Sequence, residues 1–90
     1  MSQIIEIIVG NNNYQIEWAL SEYFGELKGK QYKLNEMAAD QIEKLDNLSN
    51  TAKLLLSAVA GAVIQHLIDN NCQINEIFET GYFIIKNNNI

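Results

Sequence analysis

Residues 54–68, LLLSAVAGAVIQHLI, are apolar at almost every position. Wound into a helix of about residues 51–69, the segment is greasy nearly all the way round. Ala52, Leu56, Val59, Ala60, Val63 and Leu67 fall on one uninterrupted arc, because positions three and four apart share a face. That arc belongs in a core. The other side is not polar either. Leu54, Ala58, Ile64 and Ile68 lie there, diluted by Ser57, Gly61, Gln65 and His66. Ser57 and Gly61 are four apart and leave a shallow groove where another backbone can approach closely.

A chain of 90 residues has little interior for such a helix. It removes only about 60–65% of its unfolded surface from water. Two arrangements follow. In one, the helix is central and its own neighbours surround it. In the other, Leu54, Ser57, Ala58, Gly61, Ile64 and Ile68 form an oligomer interface, since contiguous apolar patches mark association surfaces. The shortage of other chain to cover them makes a homodimer, or a place in a complex, the expected state. The 54–68 run falls short of the roughly 20 apolar residues a bilayer span needs. It reads as core rather than membrane.

Nothing visible staples the chain. Cys72 is its one cysteine, so no internal disulfide forms. Beyond Cys72, only His66, Met1 and Met37 are soft ligands, which rules out a four-ligand zinc site. The opening MSQIIEIIVG has no basic region and no small-residue cleavage site. The expectation is therefore one domain, residues 1–90, in the cytoplasm.

Six Lys stand against eleven acidic residues, giving a net charge of -5, and Arg is absent. Arg supplies the bidentate fork that reads phosphates and guanine edges. An acidic, Arg-free chain is a poor candidate for direct nucleic-acid binding or for an anionic membrane surface. Twelve Asn, with no Arg and no Pro, suit an AT-rich coding source such as a phage, a plasmid or a low-GC bacterium.

The fold class expected is α+β: mostly helical, with three to four helices, and N- and C-terminal strands pairing in a small antiparallel sheet. QIIEIIV at 3–9 is β-branched on both faces and suits a buried strand. GNNN at 10–13 is a turn by composition. The next stretch is ambiguous. YQIEW at 14–18 alternates as a returning hairpin strand would. Yet Ile16, Ala19, Leu20, Tyr23, Phe24 and Leu27 keep helical spacing, and Asn12 with Gln15 resembles a capping box. The helix matches more positions and is favoured. A second helix is expected over 34–48, with Leu34, Met37, Ala38, Ile42, Leu45 and Leu48 inward. A short one over 72–80 follows the long helix, with Ile74, Ile77 and Phe78 on one face and Gly81 as its cap. YFIIK, residues 82–86, closes the sheet.

Catalytic groups are scarce. His66 has no Ser or Cys at helical contact spacing, and Cys72 lies beyond the helix end; a nucleophile needs hydrogen-bond reach to a base and an orienting third group. The five glycines are scattered, with no phosphate loop. No catalytic residue, metal or cofactor is therefore expected. The patterned polar feature is the row Glu36, Asp40, Glu43 and Asn47, an acid stripe suited to a basic protein surface but also ordinary for a solvated face. Tyr14 and Trp18 lie one turn apart if 14–28 is helical, exposed as interface anchors often are. If 14–18 is a strand, Trp18 joins Ile16 on the core face.

These residues describe a small, acidic, non-enzymatic protein-binding module. The sharpest reading is an inhibitor or immunity-type protein of a phage, plasmid or toxin system, blocking a basic site on a partner such as a nuclease through Glu36, Asp40, Glu43, Tyr14 and Trp18. The other reading is a dimeric structural or chaperone-like subunit that associates through the 51–69 helix.

Overall fold

The chain is described by a computed structural model covering residues 2–87. It is an α+β fold: a four-stranded antiparallel sheet with three α-helices. The first strand, β1 (Ser2–Val9), buries every second residue, with Gln3, Ile5, Ile7 and Val9 inward. Gly10 and Asn11 turn the chain, Gly10 at φ 58, and β2 (Asn12–Ala19) returns along β1. Gly at the first position of a two-residue turn matches the twist of a hairpin.

Residues 14–18 are therefore strand, not helix. The register sets Ile16 opposite Ile5, Tyr14 opposite Ile7 and Trp18 opposite Gln3. Tyr14, Ile16 and Trp18 thus share the core face and pack against the core. The helical spacing over 16–27 straddles two elements: β2 to Ala19, then a 3-10 turn at Glu22–Glu26. Asn12 opens a strand and caps nothing.

A short strand, β3 (Gln31–Lys33), lies where the spacing suggests only loop. It pairs with the closing strand β4 (Tyr82–Ile85), which pairs in turn with β1. The sheet order is β2-β1-β4-β3. Two strands alone are marginal; four with one apolar face form a stable layer. Tyr32 stacks on Phe83 with ring centroids 5.4 Å apart and donates its hydroxyl to the Leu27 carbonyl at 2.9 Å.

The helix expected over 34–48 is broken. Leu34–Glu36 is a 3-10 turn and α1 spans only Ala39–Glu43. Asn47 has φ 66, a left-handed conformation that no helix passes through. The apolar residues still face inward: Leu34 and Ile42 are buried, and Met37, Leu45 and Leu48 pack against the core, whereas Ala38 is exposed.

The long helix α2 (Asn50–Asp69) runs 20 residues. Ser49 caps it, its Oγ accepting from the Ala52 N–H at 3.1 Å. Asn71, at φ 64, ends it, and the Cys72 N–H returns to the Leu67 carbonyl at 3.0 Å. Its buried residues are Ala52, Leu56, Val59, Ala60, Val63 and Leu67, the arc read from spacing. Each of the larger ones contributes about 1.5–3 kcal/mol by leaving water. By length and composition α2 is long enough to cross a bilayer, longer than its apolar run suggests. Here that arc lies against the sheet in a core with Ile5, Ile7, Phe83 and Ile85.

The last helix, α3, spans Ile74–Thr80. Only Ile77 is buried; Ile74 and Phe78 are 60% and 39% exposed, against the expectation of one inward face. Gly81 follows, and α3 turns so tightly into β4 that an added Cβ would lie 2.3 Å from the Ile77 carbonyl oxygen.

Candidate functional site

The second face of α2 is open. Leu54 is 72% exposed and Ile68 is 43% exposed. Between them Ser57, Ala58 and Gly61 are exposed, while Ile64 is half-buried against the core. The helix that looked apolar on every side has one side sealed by its own fold and one side free. A Cβ built on Gly61 meets nothing within 4 Å, so the row is a shallow, uncovered trough.

At the N-terminal end of this row, α1 packs beside α2 and the two enclose a cleft of about 340 Å³. Ala39, Ile42 and Glu43 form one wall; Asn50, Lys53, Leu54 and Ser57 form the other. The lining is mostly apolar. The Lys53 Nζ donates to the Glu43 backbone carbonyl at 2.7 Å, fastening the C-terminal end of α1 to α2. A cation there also suits the negative end of the helix.

Two groups separated in sequence thereby meet. Glu43, read as part of an acid stripe, and Leu54 with Ser57, read as an oligomer face, line the same cleft. Asp40 is exposed on α1. The stripe itself does not form as one helical row, because Glu36 sits on the 3-10 turn before α1. Among the described residues, the carboxylates of Glu36, Asp40 and Glu43 make no ion pair; the ion pair present is Lys86 to Glu6, at 2.9 Å.

Tyr14 and Trp18 are elsewhere. As core-facing residues of an edge strand they are half-buried, not free anchors. Tyr14 lies at the C-terminal end of α2, beside a second, polar cleft of about 300 Å³ with Asn12, Asn71, Cys72 and Glu76 on its walls. The Cys72 thiol donates to the Tyr14 hydroxyl at 2.9 Å. That hydrogen bond is the main cause holding the Tyr14 hydroxyl above its ordinary pKa, with some loss of solvent and the nearby charge of Glu76 adding to it. The His66 ring meets Tyr14 edge-on, with centroids 6.1 Å apart at 80°. Cys72 thus bonds to a phenol and not to the imidazole, and no thiol–imidazole pair is assembled. No cluster of three or more His, Cys, Asp or Glu placed to hold a metal ion occurs among the described residues.

The cleft itself was missed by sequence reasoning. Its signal was present in the partial apolarity of the outer α2 face, but the wall from α1 depends on where the 34–48 segment breaks. The class these features define is a two-layer α+β chain with an open helix face and an adjoining apolar cleft edged by acids. Comparison with protein-family models, with curated proteins and with solved structures finds no match.

Proposed function

We propose that this chain is a small, acidic, non-enzymatic protein-binding module of the inhibitor or immunity type, acting in the cytoplasm. Its contact surface is the α1–α2 cleft continued along the exposed row Leu54, Ser57, Ala58, Gly61 and Ile68. The supporting observation is that Glu43, Leu54 and Ser57 line one cleft. An apolar side chain of the partner enters between α1 and α2, and a Lys or Arg beside it meets Asp40 and Glu43. Leu54, so far exposed, is the kind of side chain that a partner covers. Unpaired surface carboxylates accelerate encounter with a basic protein and select against acidic ones. A partner with a basic functional site, a nuclease among them, is the chemistry this surface suits.

The test is capture of the partner from the native host by the wild type and by two variants side by side. Asp40→Lys with Glu43→Lys, and separately Leu54→Asp, each release the partner, and wild-type binding weakens as salt rises. A partner held equally by all three proteins refutes the reading. The open trough at Gly61 also supports the second reading, a dimeric structural or chaperone-like subunit. In that case Gly61→Leu dissolves the assembly while the acid reversal leaves it intact.

A further inference from the structure

The sheet has two faces, and among the described residues only one is covered. Every buried helical side chain joins the same core as Ile5, Ile7, Phe83 and Ile85, on one side of the sheet. On the other side alternate residues of the central strands point outward: Ile4, Glu6 and Ile8 from β1, Tyr82 and Ile84 from β4. All five are half-buried, and the four apolar ones stand outside the core cluster. In the pairing register Ile8 lies opposite Tyr82, and Glu6 lies opposite Ile84. Glu6 is neutralised by Lys86 of the same chain.

Charge on this face differs from charge on the rest of the molecule. Glu17 on β2 and Glu6 on β1 occupy one half; Lys86, just past β4, and Lys33 on β3 occupy the other. The face is therefore neutral, and the whole surplus of -5 lies elsewhere on the chain. A face that is neutral, apolar at its centre, acidic on one side and basic on the other complements itself.

We infer that the occupant is a second copy of this chain, docked sheet to sheet about a twofold axis that runs along the strands. That axis lays β1 of one copy over β4 of the other. Ile8 then meets the second copy's Tyr82, twice, and Glu17 lies beside the second copy's Lys86. A twofold axis across the strands through the middle of the patch, at the level of Glu6 and Ile84, would instead set Glu6 over Glu6, with like charges opposed in an apolar setting. β1 and β2 contribute eight residues each, β4 four and β3 three; at about 3.4 Å per residue and about 4.8 Å between strands the face is roughly 370 Å². Two such faces bury roughly 750 Å², short of the roughly 1,000 Å² of a stable specific interface, so the dimer is weak, transient and concentration-dependent. This arrangement leaves both α1–α2 clefts facing outward.

Sedimentation equilibrium across a concentration series decides the matter. The wild type moves from 10.2 kDa towards twice that mass. Tyr82→Thr with Ile84→Thr, which keeps strand-compatible residues, weakens dimerisation by about tenfold or more. Leu54→Asp leaves it unchanged. Should the double variant not fold, as judged by circular dichroism, the exposed position Glu17 serves in its place: Glu17→Lys weakens the dimer. A wild type that stays monomeric throughout overturns the inference. So does a dimer broken by Leu54→Asp, or one indifferent to Glu17→Lys.

Discussion

The backbone N–H and the hydroxyl of Ser49 both donate to the carboxylate of Glu26, at 2.8 and 2.7 Å. Ser49 in turn accepts from the Ala52 N–H, so one carboxylate fixes the residue that starts α2. The segment from 27 to 48, which holds β3 and α1, is tied at both ends by this contact. A negative charge also suits the positive end of a long helix.

Those two donors, the backbone N–H first, hold the Glu26 carboxyl below its ordinary pKa. The sign follows directly. A lowered folded-state pKa adds stability above the ordinary carboxylate range, and that stability is lost as pH falls through the lowered value. Thermal melts of Glu26→Gln and wild type should therefore differ at neutral pH and converge in acid, below the lowered Glu26 value. Ser49→Ala removes the cap and the hydroxyl bond together, at about 1 kcal/mol or a melting temperature roughly 4–8 °C lower.

The glycines at 61 and 81 make opposite demands. Gly61 sits in the exposed middle of α2 with open space where a Cβ would go. Gly61→Ala should raise stability by about 0.5–1 kcal/mol, as removing glycine from a helix interior does. At Gly81 a Cβ would meet the Ile77 carbonyl oxygen and lie 2.9 Å from Leu34 Cδ1. Gly81→Ala should cost about 2 kcal/mol or more by forcing α3 off β4. Urea titrations of the two variants, read for opposite shifts in midpoint, check the pair.

Two leucines a half-turn apart separate folding from binding. Leu56 is fully buried and Leu54 is 72% exposed. Leu56→Ala should destabilise the chain by about 2–5 kcal/mol. Leu54→Ala should stay within about 0.5 kcal/mol of wild type while weakening capture of the partner. Equal effects of both on stability would mean that Leu54 is covered within the monomer.

Alkaline titration distinguishes the tyrosines. Burial raises Tyr32, and the Cys72 contact raises Tyr14. A tyrosine whose folded-state pKa is raised adds stability below its ordinary pKa, and loses it as pH rises through the folded value. Ultraviolet titration of the phenols should show Tyr14 and Tyr32 ionising above the ordinary phenol range. Tyr14→Phe should remove one late-ionising group and expose Cys72 to faster alkylation.

Much of the architecture was legible from particular residues. The arc from Ala52 to Leu67 follows from spacing alone, because α2 buries one side against a flat layer. The terminal strands and the Gly10 turn follow from β-branching and from glycine's tolerance of positive φ. Residues 14–28 misled, because two successive elements happened to continue one helical spacing; the alternation in YQIEW was the truer signal, since Ile16 needed Ile5 across the hairpin. The break at Asn47 and the strand at Tyr32 were not legible. The strand at Tyr32 depends on a tertiary partner, Phe83; at Asn47 the left-handed backbone is one that Asn tolerates but that helical spacing does not reveal. The cleft shared that fate, as its α1 wall is placed by the break.

Binding of a basic protein segment by the α1–α2 cleft and the adjoining outer row of α2 is the central proposal. Selection from a random peptide display library, followed by amide chemical-shift mapping of the enriched peptide, tests it most directly. Peptides that pair an apolar residue with Lys or Arg should be enriched, should perturb Glu43, Leu54 and Ser57, and should lose affinity on Leu54→Asp and on Asp40→Lys with Glu43→Lys. Enriched peptides that map to the polar cleft at Cys72 or to the sheet, or that bind the variants as well as wild type, would contradict it.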